Sequence, residues 1–102
     1  MNHDPFDIQG QEVQLKEAEE RARREVQQEV EDYKWLMSSK RGRRVIFRVL
    51  ERAGVYRMSF DTNAMTMAFN EGRRNEGLYL TSKLLGACPD LHAQMLKENT
   101  NE

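Results

Sequence analysis

The chain has 102 residues, of which 38% are hydrophobic and 32% are charged, and its formal net charge is −1 at pH 7. A chain of this length forms one domain at most and buries a modest share of its surface, so we expect contacts with partners to add to its stability. The composition is polar for a globular protein but excludes a wholly disordered chain, and no apolar run is long enough to span a membrane. With Cys88 as its one cysteine, the chain cannot form an internal disulfide.

The first ten residues, MNHDPFDIQG, predict a flexible N-terminal tail over 1–10. Pro5 and Gly10 interrupt regular structure, and no apolar periodicity is present. Acidic residues stand where a secretion signal would need an apolar stretch, so we expect the protein to stay in the compartment where it is made.

Residues 11–37 predict one long amphipathic helix. A single apolar stripe repeats every three or four residues over about seven turns, and every other face is polar. A helix with one narrow stripe cannot bury that stripe against itself, so we expect it to dock on a bundle, a second copy or another protein. The predicted docking residues are Leu15, Val26, Val30, Tyr33 and Met37.

A small helical domain is predicted over 38–97. Ser38 and Ser39 are candidate N-caps for its first helix, because their hydroxyls can accept a backbone N–H. Gly54 stands where a left-handed residue would end that helix, and residues 61–63, Asp-Thr-Asn, offer alternative caps for the next one.

The next helix is expected from about 63 to 85, with Gly86 as its stop. Small residues at helical spacing let another backbone approach, so one line on this helix is predicted to pack against a neighbouring element. The packing line is Ala68, Gly72, Asn75 and Tyr79. Pro89 is expected to begin a last short helix that runs to about Lys97, and residues 98–102 are expected to fray.

These patterns together predict an all-α fold: a long N-terminal amphipathic helix followed by a compact three-helix unit. No segment alternates between apolar and polar residues as a half-buried strand does. The two histidines, His3 and His92, lie far apart and the chain has one cysteine, so no set of metal ligands is recognisable, and we place no nucleophile and base on one element. We therefore expect no metal, no cofactor and no enzymatic activity.

Positive charge is concentrated in one part of the chain, since residues 40–57 hold seven basic side chains and one acid. At the start of a helix, basic residues meet the positive end of the helix dipole, so an acidic group is expected to compensate them. DNA phosphate, an acidic patch on a partner, the acids of the long helix in this or a neighbouring copy, or a solvated face with some internal pairing remain alternatives. The predicted contact residues are Lys40, Arg41, Arg43, Arg44 and Arg48.

Two segments, GRRVIFRVLERAGVYRMSF at 42–60 and MAFNEGRRNEGLYL at 67–80, resemble a family of small proteins from the head and packaging gene clusters of tailed bacteriophages, of podovirus type. In that family a Gly-Arg-Arg helix ends in Ala-Gly-Val, and a short link leads to a helix of the form Phe-x-x-Gly-Arg-x-x-x-Gly. The matching residues are Gly42, Arg43, Arg44, Ala53, Gly54, Val55, Phe69, Gly72, Arg73 and Gly77. The resemblance covers roughly residues 40–95 and brings no catalytic residues.

The resemblance implies a virion-associated phage protein near the portal or the head-to-tail region, present in the host cytoplasm during assembly. Other phage structural proteins are the expected partners, with a homo-oligomer and nonspecific contact with DNA as further expectations. A DNA-binding accessory of genome packaging is the main alternative, and a regulator of a host factor is a third.

Overall fold

A computed structural model describes residues 7–100 of the chain. Positions 1–6 of the predicted tail at 1–10 therefore lie outside the described residues. Of the predicted frayed end at 98–102, the last two positions lie outside them as well.

Four α-helices account for most of the described segment, which contains no β-strand. They are α1 (Ile8–Met37), α2 (Lys40–Ala53), α3 (Ala64–Ala87) and α4 (Pro89–Asn99). The all-α class and the long N-terminal helix predicted from the sequence are confirmed. No helix between residues 7 and 100 is long and apolar enough to cross a membrane.

Local hydrogen bonds fix both ends of α2. Ser39 caps its start, because the hydroxyl accepts the backbone N–H of Gly42 at 2.9 Å. Gly54 ends the helix in the left-handed conformation at φ 88°, and the N–H of Val55 returns to the carbonyl of Leu50 at 3.1 Å. The predicted cap at Ser39 and the predicted stop at Gly54 are both confirmed.

Other helix ends differ from the prediction for equally local reasons. α1 begins before residue 11, because the carboxylate of Asp7 accepts the N–H of Gly10 at 2.9 Å and caps the helix there. α3 continues through Gly86 instead of stopping at it. α4 extends through Glu98, which was expected to fray but forms an ion pair inside the fold.

One hydrophobic core joins all four helices. Its buried members are Met37, Ile46, Phe47, Leu50, Leu84, Ala87, Cys88 and Met95. Burying a side chain the size of Leu50 or Leu84 contributes about 1.5–3 kcal/mol. Val30, Tyr33 and Leu36 of α1 pack against this core. The last turns of α1 therefore belong to the same folded unit as α2, α3 and α4.

The face of α3 that packs inside the chain is not the predicted one. All four predicted packing residues are exposed, namely Ala68, Gly72, Asn75 and Tyr79. Gly77 makes the close approach instead, because it lies against the side chains of Val55 and Ala53 at the end of α2. A Cβ added at Gly72 would meet nothing within 4 Å. Since α3 carries large apolar residues on several faces, residue spacing alone favoured the wrong one.

The molecule is long and flat. Its principal extents are 64, 38 and 18 Å, and its Cα radius of gyration is 20.2 Å. A compact chain of about 100 residues has a radius of gyration of about 13 Å. The excess reflects the exposed N-terminal part of α1, which extends beyond the core.

Candidate functional site

The apolar stripe of α1 is only partly used inside the chain. Val30 and Tyr33 are half-buried, and Met37 is completely buried in the core. Leu15 and Val26 expose 62% and 63% of their surface. Of the five predicted docking residues, only Leu15 and Val26 remain free to meet a partner, because the core of the same chain covers the other three.

Residues 8–28 form an exposed extension of α1, which we call the arm. All its side chains are exposed, and at 1.5 Å per residue it is about 31 Å long. Ile8, Leu15 and Val26 point in almost the same direction around the helix, whereas Val13 points away from them by about 150°. The arm therefore carries one apolar line that no described residue of the chain covers.

The arm joins the rest of the fold at residue 29, where α1 meets α3. Glu29 lies 3.1 Å from the ammonium of Lys83, which in turn lies 5.4 Å from the ring centroid of Tyr79. The hydrogen bond to Glu29 raises the pKa of Lys83, so this lysine is cationic at neutral pH. Burial raises the pKa of Tyr33, the neighbouring stripe residue. These contacts fix the base from which the arm extends.

Arg43, predicted to contact a partner or DNA, forms an internal ion pair. Its Nε and Nη2 donate to the two carboxylate oxygens of Glu98 at 2.9 and 2.8 Å, and its Nη1 donates to the carbonyl of Met37 at 2.9 Å. The hydrogen bond to Arg43 lowers the pKa of Glu98, and the same bond raises the pKa of Arg43. The acid that compensates this arginine is therefore on α4, an internal partner that the sequence-based alternatives allowed for but did not name.

The other four basic side chains that were predicted to contact a partner or DNA are exposed to solvent, namely Lys40, Arg41, Arg44 and Arg48. Arg52 is exposed on the same side of α2, one turn after Arg48. We call Arg41, Arg44, Arg48 and Arg52 the arginine row. Within residues 7–100, none of the four forms an ion pair. The arginine row is thus a basic face whose charge the described chain leaves uncompensated.

A mostly apolar groove lies between the α2–α3 connection and the first half of α3, with a volume of about 480 Å³. Its apolar lining consists of Met58, Phe60, Ala64, Met67 and Ala68, and Arg57 and Arg74 add positive charge. Sequence reasoning assigned no site to this connection, although its large apolar residues in a short link were a signal. The groove forms only once the connection packs beside α3, so spacing along the chain could not reveal it.

Other reactive side chains lie in the interior. Cys88 is a free, buried member of the hydrophobic core, and burial raises the pKa of its thiol. Burial also lowers the pKa of His92. Within the described segment, no three His, Cys, Asp or Glu side chains lie close enough together to hold a metal ion.

Comparison with known proteins connects this fold to a phage family. The family model described as "Bbp19-like phage protein" matches residues 33–97, which is more than half of the chain. The match begins at the buried end of α1, includes α2 and α3, and leaves the arm outside. No curated protein and no solved structure matches the chain. The phage origin implied by the resemblance is confirmed, and the chain belongs to the family of Bbp19-like phage proteins.

Proposed function

We propose that the protein is a non-enzymatic structural or assembly component of a phage particle, present in several copies and docked through the arm. Its proposed place is near the portal or the head-to-tail region of the virion, after a period in the host cytoplasm. Other phage structural proteins and further copies of this chain are its proposed partners. The observation that carries the proposal is the uncovered apolar line of Ile8, Leu15 and Val26.

The form of the arm supports a docking role. An amphipathic helix that offers one apolar line to its surroundings commonly binds by laying that line in a groove of a partner. Residues 7–100 offer the arm no cover, since every side chain of the arm is exposed. The family match begins at residue 33, after the arm, so the arm would add a chain-specific attachment to a shared helical unit.

The free energies of burial and association favour attachment in several copies. Burying Ile8, Leu15 and Val26 would contribute about 5–9 kcal/mol. Association itself costs about 4–15 kcal/mol in lost translational and rotational freedom, so one docked arm would bind weakly. Several arms bound together on a repeating partner or in a closed ring would hold far more strongly, because each later contact forms within the same assembly.

The proposal is tested by a chain that begins at Glu29 and therefore lacks the arm. The cut lies at 29 rather than at 38, because Tyr33 and Met37 are needed in the core. We expect the shortened chain to remain helical and to unfold cooperatively, but to be absent from purified phage particles. Incorporation at the level of the full chain would overturn the proposal.

A second candidate function is that of a DNA-binding accessory of genome packaging, favoured by the arginine row. Arginines without acidic partners on one helix face suit phosphate contacts, which weaken steeply as salt rises. This function predicts that Arg44→Glu with Arg48→Glu abolishes binding to duplex DNA at low salt. A matched control, Arg23→Glu with Arg24→Glu, makes the same charge change on the arm. Equal losses for the two pairs would contradict a specific role for the arginine row.

A further inference from the structure

We infer that the groove receives the arm of a second copy of this chain, so that copies assemble head to tail. The inference rests on the proposed function, because it names the partner of the same arm. The apolar surface of the groove, its shape, its charge and the separation of the two surfaces on one chain support this pairing.

The groove exposes large apolar side chains of the kinds that protein interfaces favour. Met58 is 87% exposed and Phe60 is 71% exposed, on a chain whose core is small. Met65 and Phe69, on the adjoining surface of α3, are 83% and 65% exposed. Methionine and aromatic residues are enriched at the buried centres of interfaces, and contiguous exposure of this kind marks a binding surface.

The shape of the groove suits an approaching helix. Ala64 and Ala68 lie one turn apart on α3 and carry no side chain beyond a methyl group, so another helix can come close to them. Met58 and Phe60 stand beside them. The volume of about 480 Å³ has room for more than one aliphatic side chain. Ala68, which was predicted to pack within the chain, is therefore placed to pack against another one.

Charge favours an acidic helix in this groove. Arg57 and Arg74 line it, and the buried Nε of Arg74 has no hydrogen-bond partner among the described residues. Glu71 also lines it, but the hydroxyl of Ser59 donates to that carboxylate. The first part of the arm, residues 8–20, contains four glutamates and one lysine, whereas residues 21–28 contain three arginines and one glutamate, so the acidic part is the N-terminal one. A glutamate from the acidic part of the arm would therefore meet the positive charge of Arg57 and Arg74 while the apolar line covers the groove.

A second copy is the indicated source of the arm, because the described part of one chain leaves both surfaces uncovered. All side chains of the arm are exposed, and so are Met58, Phe60 and Ala68 in the groove. Two different surfaces that fit each other give a head-to-tail contact, which repeats from copy to copy. Such a contact closes into a ring or continues as a filament.

The test uses two full-length variants whose mass is measured in solution by light scattering over a range of concentrations. The arm variant carries Leu15→Gln and Val26→Gln, and its matched control carries Val13→Gln. The groove variant carries Ala68→Glu, which fills the groove and adds a negative charge. Its matched control carries Asn75→Glu, which lies on the same helix outside the groove lining.

We expect the native chain and both controls to form oligomers, and each variant alone to remain at the chain mass of 12.0 kDa. An equimolar mixture of the two variants should rise toward twice that mass and no further, because it contains one intact arm and one intact groove per pair.

A groove variant that assembles like the native chain, while the arm variant does not, would overturn the inference and leave the proposed function standing. A native chain that stays at 12.0 kDa at every concentration would also overturn it, because the partner of the arm would then be another protein. The proposed function would still be decided separately, by the incorporation of the shortened chain into particles.

Discussion

Gly77 lets the end of α2 pack closely against α3, because it has no side chain. An added Cβ would meet the side chain of Val55 and would lie 3.0 Å from the Cβ of Ala53, so the end of α2 can approach only a glycine. Gly72, on the same helix, faces open space. Because a helix-interior glycine costs up to about 1 kcal/mol relative to alanine, only Gly77 offsets that cost through contact within the chain.

The two glycines therefore predict opposite effects of the same substitution. Gly77→Ala should lower the free energy of unfolding by about 1–3 kcal/mol, because the methyl group overpacks the junction of α2 and α3. Gly72→Ala should raise it by about 0.5–1 kcal/mol, because it removes backbone freedom without a clash. Urea denaturation of both variants measures the difference, and equal effects would contradict the packing described for α3.

Residue-level predictions from the sequence succeeded where the cause is local. The cap at Ser39 depends on an N–H three residues away, and the stop at Gly54 depends on the adjacent turn. The partner of Arg43 could not be found in this way, because Glu98 lies 55 residues further along the chain. Only the packing of α4 beside α2 brings the two side chains together.

The Arg43 pair joins three helices. It links the first turn of α2 to the end of α4, and it donates to the carbonyl of Met37 at the end of α1. A carbonyl at a helix C-terminus carries partial negative charge, so it favours a cation there. The buried guanidinium thus has acceptors from two other helices, which compensate its unfavourable position at the start of α2.

This pair predicts a loss of stability in acid. The hydrogen bond to Arg43 lowers the pKa of Glu98 from its ordinary value of 4.5, so the folded carboxyl binds a proton less readily than the unfolded one. The resulting stability is present above about pH 4.5 and is lost as the pH falls through the lowered pKa. Glu98→Gln should therefore have a lower Tm than the native protein at neutral pH, and the two Tm values should converge on acidification.

Thermal unfolding followed by circular dichroism at several pH values measures that convergence. Glu31→Gln is a suitable control, because Glu31 makes only exposed contacts, an ion pair with Lys34 at 3.8 Å and a hydrogen bond from the side-chain amide of Gln27 at 3.1 Å. This control should differ little from the native protein at any pH. A constant difference between the native protein and Glu98→Gln throughout the acid range would contradict the assigned role of the pair.

The helices could be predicted from apolar periodicity, but which of their faces and segments are buried could not. The stripe of α1 keeps the same repeat of three or four residues from Leu15 to Met37. The sequence therefore could not show that burial begins near Val30. Where the stripe becomes buried is decided by α3, which reaches α1 through Lys83 and Glu29. Likewise, the apolar residues around α3 left its packing face undetermined until the end of α2 was placed.

At the scale of the whole molecule, several surfaces have no partner among the described residues. Its core unites four helices, yet the arm and the groove both leave apolar residues exposed. The arginine row also has no acidic partner within residues 7–100. These surfaces lie apart on an elongated chain with extents of 64, 38 and 18 Å. A molecule built in this way is suited to contact several neighbours at once, as a component of a particle would.

The docking role of the arm is tested most directly by measuring how much protein is present in purified phage particles. One preparation of particles is made with Val26→Gln and the other with Val13→Gln. Both substitutions replace an exposed valine on the arm, but only Val26 lies on its apolar line. We predict that Val26→Gln is depleted from particles by about tenfold or more, as expected for the loss of one buried valine contact. Val13→Gln should be incorporated like the native chain, and equal incorporation of the two variants would contradict the proposed docking role of the arm.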